Sequence, residues 1–274
     1  MQISGHGRET FLFLNGLAVK RVIRLGKYLE LRPANCLPSP EDIIKASGKE
    51  IDLGVAIIFL KHVTSQIRVV ADTPKELAAR AWNSMWDAIL LSAFFHNEVA
   101  CNFQCDMPAE KFDSKSKLEI TNYHLRGLSE PRMLTESEAV WIEENFEQAR
   151  NLLKYPKYQN AVHSLWSYRW HTHSRMQLAI LWAGIEGLFE VNSEIVFRLS
   201  LYVARFLAPD NETERFQIFS DVKRLYKQRS AAVHGSEIKG DSNTGVEESA
   251  KLLLKLIRHC VICKSLPRIE SLAP

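Results

Sequence analysis

A change in hydrophobic periodicity divides this sequence into two parts. The first ~125 residues combine short segments rich in β-branched and aromatic side chains with one long amphipathic segment, which is typical of an α+β fold. The remainder repeats its apolar side chains every three or four residues, as helices do. Between the two parts, the stretch from Gly127 to Ser137 is rich in turn-forming residues. We therefore expect an α+β domain over residues 1–130 and a helical domain over residues 131–274.

The N-terminal domain is expected to contain short strands and one long helix. The helix covers Thr73 to Phe95, where Thr73 can cap the N-terminus and Pro74 suits the first helical position. The expected strands are Phe11 to Leu14, Ala18 to Arg24, Lys27 to Arg32, Val55 to Leu60, Gln66 to Ala71, Val99 to Cys105 and Leu118 to Leu125.

The C-terminal domain is expected to be a bundle of five or six helices joined by short loops. Its first helix follows Thr135 and Glu138, which form a capping-box pattern, and ends at Pro156. The later helices are expected at about Lys157 to His171, Arg175 to Phe189, Glu194 to Leu207, Glu212 to His234 and Val246 to Leu266.

Composition excludes several classes of protein. With 46% apolar and 24% charged residues, the chain is neither disordered nor collagen-like. Its net charge of +3 is far below that of a histone-like or membrane-coating protein. No secretory signal is visible in Met1 to Thr10, and no apolar run approaches the ~18 residues that cross a bilayer. We expect a cytoplasmic protein with reduced thiols and no membrane partner.

Two pairs of cysteines have spacings that occur in metal sites. Cys101 and Cys105 form a C-x3-C, and Cys260 and Cys263 form a C-x2-C beside His259. The second pair lies in a helical pattern without the turn that a zinc knuckle needs, and small thiols are common core residues. We therefore favour a core role for these cysteines and expect neither a metal nor another cofactor.

The positive charge of the chain is concentrated in one segment, Asp221 to His234. Charge of this density at a helix end attracts phosphodiesters, although a solvated helix face explains it equally well. The segment holds one acidic residue, Asp221, and the basic residues Lys223, Arg224, Lys227 and Arg229.

Arg229 occupies an unusual position in this segment. On a regular helix it continues the apolar stripe of Ile218, Val222 and Leu225, so its side chain points inward or towards a partner. A guanidinium in such a place requires a paired group or an interface. His234 lies about 140° around the helix from Arg229, so the two converge only if the helix bends or ends there. Gly235 supplies the expected helix end, although a histidine at that position also serves simply as a capping residue.

These residues resemble a known family. The segment YKQRSAAVHG, from Tyr226 to Gly235, is similar to the R-x4-H motif of the HEPN superfamily, in the RSxxVHG form of its Apea-like branch. The apolar helix LAILWAGIEGLF (Leu178 to Phe189) and the following RLSLYVARFL (Arg198 to Leu207) also match that branch in order and spacing. The resemblance covers about Lys157 to Leu266 and implies an all-α HEPN-type bundle that forms homodimers.

The resemblance implies a metal-independent endoribonuclease that acts on single-stranded RNA. In this chemistry His234 would move a proton from the ribose 2′-hydroxyl or to the departing 5′-oxygen, since an imidazole titrates near neutral pH. Arg229 would bind the phosphate and stabilise charge in the transition state. The products would be 2′,3′-cyclic phosphates and 5′-hydroxyls, so DNA would not be cut. The resemblance also implies a toxin-like or phage-defence role for this protein, together with a regulatory or antitoxin partner.

The same resemblance gives supporting roles to further residues. A homodimer would place two Arg229/His234 pairs opposite each other across a composite cleft. Ser230 occupies a position where many HEPN nucleases carry Asn, Asp or His, and it agrees with the Apea-like form. Glu186, an acidic residue on a very apolar helix, should be paired, either orienting Arg229 or forming a structural salt bridge. The expected RNA contacts at the rim, each of which is equally compatible with solvated surface, are Lys223, Arg224 and Lys227.

Two alternatives remain open from the sequence. The first is a catalytically silent HEPN module that binds RNA or nucleotides or acts as an assembly scaffold, with Arg229 used only for phosphate contact or packing. The second is an ordinary helical interaction protein in which the motif occurs by chance. The presence of both Arg229 and His234 favours the nuclease.

Overall fold

The computed structural model describes residues 3–46, 50–121, 130–238 and 240–273, and the side chains of residues 50–52 are also outside the description. Contacts divide the chain into two compact units, Met1–Glu147 and Gln148–Pro274. The first unit is built on an antiparallel sheet and the second is helical, as the change in periodicity predicts. In the described ranges, no helix combines the length and the apolar character needed to cross a membrane.

The sheet of the first unit is antiparallel throughout, in the order β3-β4-β5-β1-β6-β7, while β2 and β8 form a separate parallel pair. Its central strand β1 is buried on both faces, because Phe11 and Phe13 alternate with Leu12 and Leu14. The strands are β1 (Glu9–Asn15), β2 (Leu17–Ala18), β3 (Ile23–Gly26), β4 (Leu29–Pro33), β5 (Val63–Val70), β6 (Ala100–Cys105), β7 (Leu118–Ile120) and β8 (Arg132–Met133).

Helices cover this sheet. Phe11 and Phe13 face a core cluster that includes residues of α1 and α2, and α3 packs on β1 and β5. The helix expected over Thr73 to Phe95 is interrupted at Ser84, and Thr73 caps its first part by accepting a hydrogen bond from the Glu76 N–H. The helices of this region are α1 (Pro40–Ala46), α2 (Glu50–Phe59), α3 (Pro74–Asn83), α4 (Met85–Phe95) and α5 (Glu136–Leu152).

The strand predicted over Val55 to Leu60 is wrong, because this segment ends helix α2 and continues into a 3-10 turn. Ala56, Phe59 and Leu60 are buried, whereas Ile57 and Ile58 are 51% and 54% exposed. Burial therefore follows the helical period of three to four residues, and the β-branched pair faces solvent. The end of the strand predicted to reach Leu125 lies outside the described residues, since β7 is described only to Ile120 and residues 122–129 are not described.

The boundary between the two compact units falls within α5, whereas the change in sequence pattern precedes this helix. The first part of α5 is tied to the first unit by Arg21, whose guanidinium contacts Glu143 at 2.9 Å and Glu136 at 2.8 Å. Trp141 and Phe146 of α5 pack edge-on against Phe94. Residues 127–129 of the predicted boundary lie outside the described residues.

The second unit is a helical bundle with α7 at its centre. Helix α7 packs against α6, α8, α9 and α10, and its Trp182 is fully buried with its indole N–H donating to Ser249 Oγ at 3.1 Å. The predicted helices are confirmed to within a few residues, except that the last begins earlier, at a cap formed by Asp241, and a short further helix follows it. The helices are α6 (Pro156–Ser167), α7 (Ser174–Phe189), α8 (Ile195–Leu207), α9 (Glu212–Val233), α10 (Ser242–Ile262) and α11 (Ile269–Leu272).

Close packing around α7 depends on Gly184. A Cβ atom at this position would lie 2.8 Å from Ser164 Cβ on α6 and 3.1 Å from Leu253 Cδ2 on α10. Gly184→Ala is therefore expected to lower the free energy of unfolding by about 1–3 kcal/mol, measured by urea unfolding.

Gly54→Ala in α2 is the matched control, because a Cβ atom there meets no atom within 4 Å. The control should stabilise the chain by about 0.5–1 kcal/mol, since alanine is the better helix former. Unchanged stability of Gly184→Ala would contradict the close contact of the three helices.

Candidate functional site

Helix α9 carries the basic segment and presents two different faces. Its N-terminus is capped by Asn211, whose Oδ1 accepts a hydrogen bond from the Glu214 N–H at 3.0 Å. On the inner face Val222 and Leu225 are buried, as the apolar stripe predicts, and Arg229 follows them with 20% of its side chain exposed. The helix thus holds a guanidinium at the edge of the bundle core.

Arg229 is paired with Glu186 of α7. Its Nη2 donates to Glu186 Oε2 at 3.2 Å, and its Nε lies 2.8 Å from Glu186 Oε1 without the geometry of a hydrogen bond. The guanidinium carbon also lies 5.5 Å from the centre of the Tyr226 ring. The expected pairing of Glu186 is therefore present, but only one of the two hydrogen bonds of a bidentate ion pair is formed.

The Glu186 carboxyl lies in surroundings that disfavour its charge. Burial raises the pKa of Glu186, and the nearby Arg229 offsets this only in part through its charge and its hydrogen bond. The charged form of Glu186 on this apolar helix is therefore stabilised mainly by Arg229. The pair connects α7 to α9 close to the motif.

His234 is exposed at the C-terminal end of α9. Its backbone N–H still bonds to the Ser230 carbonyl at 3.0 Å, and Gly235 then leaves the helix with a φ of +73°. The helix end predicted at Gly235 is confirmed, since this left-handed conformation suits glycine. The imidazole makes no hydrogen bond or ion pair with any described residue.

Arg175 fixes the end of α9, a role that the sequence patterns did not predict. Its Nη1 donates to the Ala231 carbonyl at 2.9 Å and its Nη2 to the Ser236 carbonyl at 2.7 Å. It thereby occupies carbonyls that have no partner within the helix. The sequence does contain a signal for this role. A basic side chain in the first turn of α7 is repelled by the positive end of the helix dipole, so another contact must stabilise it.

The exposed face of α9 is basic over its C-terminal half. Lys223, Lys227 and His234 fall within about 40° of one another around a regular helix, and all three are exposed. Neither lysine forms an ion pair with a described residue. We call Lys223, Lys227 and His234 the α9 stripe.

Arg224 behaves differently from the two lysines. Its guanidinium donates to both carboxylate oxygens of Glu248 on α10, at 2.8 and 3.1 Å, and contacts Asp221 at 3.4 Å. Its charge is therefore largely neutralised, and the side chain connects α9 to α10. Of the expected rim residues, Lys223 and Lys227 remain available to an anion.

Arg229 and His234 are not brought together within one chain. Because α9 stays regular as far as His234, their side chains leave the helix about 140° apart. In the part of the chain that the structure describes, no hydrogen bond or ion pair joins them. Ser230 lies between them, half-buried, and its hydroxyl has no hydrogen-bond partner among the described residues.

Cysteines and histidines form no metal centre in the described residues. Cys101, Cys105 and Cys260 are buried, and burial raises the pKa of each thiol to about 12, so they remain protonated. The expected core role is wrong for Cys263, which is exposed at the end of α10 with its Sγ 3.2 Å from His259 Nε2, because the buried face of α10 ends with Val261.

Comparison of the chain with family models, with curated proteins and with solved structures gives no match. The function is therefore inferred from the geometry of α9.

Proposed function

We propose that the chain is a metal-independent endoribonuclease of the HEPN type, with its active site at the C-terminal end of α9. The observation that carries the proposal is the α9 stripe, where exposed His234 shares a helix face with two lysines that form no ion pair with a described residue. Such a face attracts the phosphates of an RNA strand and holds a group able to transfer a proton beside them.

The proposed reaction is an intramolecular phosphoryl transfer. The 2′-oxygen attacks the adjacent phosphorus, the bond from phosphorus to the 5′-oxygen breaks, and a 2′,3′-cyclic phosphate and a 5′-hydroxyl are formed. His234 accepts the proton from the 2′-hydroxyl or donates one to the 5′-oxygen, and water makes the other proton transfer, so that one proton leaves O2′ and one reaches O5′. Lys223 and Lys227 hold the flanking phosphates, and Ser230 offers a hydroxyl to the same strand.

Arg229 contributes by exchanging its carboxylate partner for the scissile phosphate. Its pair with Glu186 includes a single well-formed hydrogen bond, so a phosphate that accepts two is a competitive partner. In the transition state the guanidinium stabilises the charge on the phosphate oxygens. Glu186 then serves to position Arg229 while the site is empty.

A second copy of the chain is part of the proposal. Because Arg229 and His234 leave α9 about 140° apart, we place Arg229 of one copy beside His234 of the other, in a homodimer with two composite sites. Exposed apolar side chains around the motif support this contact. Val233 precedes His234 and is 48% exposed, and Met176 follows Arg175 and is 49% exposed.

The alternative of a catalytically silent module also has support in a specific observation. Arg229, paired with Glu186 between α7 and α9, has the contacts of a residue that stabilises the bundle. A silent module would bind single-stranded RNA through the α9 stripe and leave it intact. Cleavage therefore distinguishes the two functions, whereas binding alone does not.

The substrate and product chemistry tests the proposal. Purified protein in EDTA should cut a single-stranded RNA and leave untouched the same sequence made as DNA, because DNA lacks the 2′-nucleophile. Mass spectrometry should find 2′,3′-cyclic phosphates on the upstream fragments. RNA that stays intact while it binds would favour the silent module, and 3′-hydroxyl products would contradict the mechanism.

A further inference from the structure

A second cationic region lies at the other end of the helical bundle. An open surface pocket of about 760 Å³ is bordered by Arg205 of α8, Arg215 of α9 and Arg268, which directly precedes α11. No acidic side chain is among the described residues that line it. We call it the arginine pocket.

The three arginines have backbone partners or none among the described residues. Arg205 Nη1 donates to the Leu272 carbonyl at 2.7 Å and Arg215 Nη1 to the Pro209 carbonyl at 3.1 Å, so the only described partners of these side chains are neutral backbone groups. None of the three forms an ion pair with a described carboxylate. The carboxylate nearest in sequence to Arg215, Glu214, is paired with Lys255 at 3.0 Å.

Other arginines of the same unit do have carboxylate partners. Arg224 and Arg229 are both paired with carboxylates of neighbouring helices, and Arg198 is paired with Glu194. Three cations around one concave surface repel one another unless an anion occupies it. The bonds to backbone carbonyls also hold two of the guanidinium groups in place, which lowers the entropy lost on binding.

The rest of the pocket is apolar or neutral. Phe206, Leu266 and Leu272 contribute apolar surface. The ring of His259 packs edge-on against Phe206, with the ring centres 4.6 Å apart. Burial and the neighbouring Lys255 lower the pKa of His259, so the imidazole is neutral near pH 7 and adds no charge to the pocket.

We propose that the arginine pocket binds a small phosphate monoester with an apolar body. A phosphate monoester carries close to two negative charges and several strong acceptor oxygens, which matches three guanidinium groups without a described carboxylate partner better than a single carboxylate does. The volume is in the range of small-ligand sites, and the apolar wall suits the organic part of the ester.

This pocket is separate from the proposed RNA site. Arg215 and Arg229 lie on the same helix but are fourteen positions apart, which corresponds to about 21 Å along the axis. The inference therefore does not rest on the proposed ribonuclease activity.

Titration calorimetry of the full chain near physiological salt tests the proposal with three probes: phenyl phosphate, inorganic phosphate and benzoate. Phenyl phosphate should bind with the highest affinity, benzoate should bind at least about tenfold more weakly, and inorganic phosphate should be weaker than the ester because it lacks the ring. Arg268→Gln and Arg215→Gln should each weaken phenyl phosphate binding about tenfold or more. Arg198→Gln, on α8 but paired with Glu194, is the matched control and should bind like the wild type.

The ring resonances of His259 give a second readout, which does not depend on the stability of the arginine variants. Phenyl phosphate should shift them in the wild type and in the Arg229→Ala variant. The proposal is overturned if millimolar phenyl phosphate gives neither heat nor a shift, or if benzoate or inorganic phosphate binds equally well. It is also overturned if binding is lost in Arg229→Ala but kept in Arg268→Gln. Displacement of phenyl phosphate by RNA without terminal phosphates would assign the pocket to a nucleic-acid strand and contradict the small-ligand proposal.

Discussion

Replacing His234 by alanine is expected to slow RNA cleavage by about 10²–10⁴-fold, because the variant lacks the group that transfers the proton. Binding of RNA should change little, since Lys223 and Lys227 remain on the exposed face of α9. Initial rates and binding affinity, measured on the same fluorescent single-stranded RNA in EDTA, separate the two effects.

The fold should tolerate this substitution. His234 is exposed, and its backbone N–H, which alanine also provides, makes the bond to Ser230. The free energy of unfolding of the His234→Ala variant should therefore stay within about 0.5 kcal/mol of the wild-type value. His6→Ala, an exposed histidine of the first unit, is the control and should cleave at the wild-type rate. A His234→Ala rate within twofold of the wild type would remove His234 from the mechanism.

A heterodimer of two inactive chains is expected to regain cleavage. Arg229→Ala and His234→Ala should each be inactive alone, since every composite site then lacks one group. When the two chains are co-expressed with different tags and purified through both, one of the two sites contains an intact Arg229 and an intact His234. This heterodimer should therefore cleave RNA at about half the wild-type rate.

The reciprocal heterodimer is the matched control. It combines a wild-type chain with a chain that carries both Arg229→Ala and His234→Ala, so each composite site lacks one group and no cleavage is expected. If instead each chain holds a complete site, the heterodimer of the two single variants should be inactive, and the heterodimer of the wild type with the double variant should cleave RNA. That outcome would show that Arg229 turns towards His234 within one chain and would contradict the geometry of α9.

Local sequence patterns predicted the helical unit well because its helices are long and amphipathic. The stripe of Ile218, Val222 and Leu225 placed Arg229 on the inner face of α9. The capping pattern at Thr135 identified a helix start to within a residue, since this cap is a contact between residues close in sequence.

The same patterns could not predict contacts between residues that are far apart in sequence. Arg224 was expected among the RNA contacts, but Glu248 on α10 binds it. Arg175 lies 56 residues before Ala231, whose carbonyl it caps. Which acidic side chain meets which basic one is decided by the packing of helices, and periodicity describes only the face that each helix buries.

The error at α2 has a different cause. The run from Val55 to Leu60 is rich in β-branched residues, and strand propensity outweighed the spacing of its apolar positions. The structure buries the positions that are spaced as in a helix and leaves Ile57 and Ile58 exposed. For a run of six apolar residues, period and propensity conflict, and tertiary packing decides between them.

The central claim is that the C-terminal end of α9 forms a metal-independent site for RNA cleavage. Its most direct test is the cleavage rate of one single-stranded RNA in EDTA by the wild type, Arg229→Ala and His234→Ala, with fragment ends identified by mass spectrometry. The account predicts 2′,3′-cyclic phosphate ends from the wild type and at least about a hundredfold slower cleavage by both variants. Intact RNA with the wild type, or equal rates for all three proteins, would contradict it.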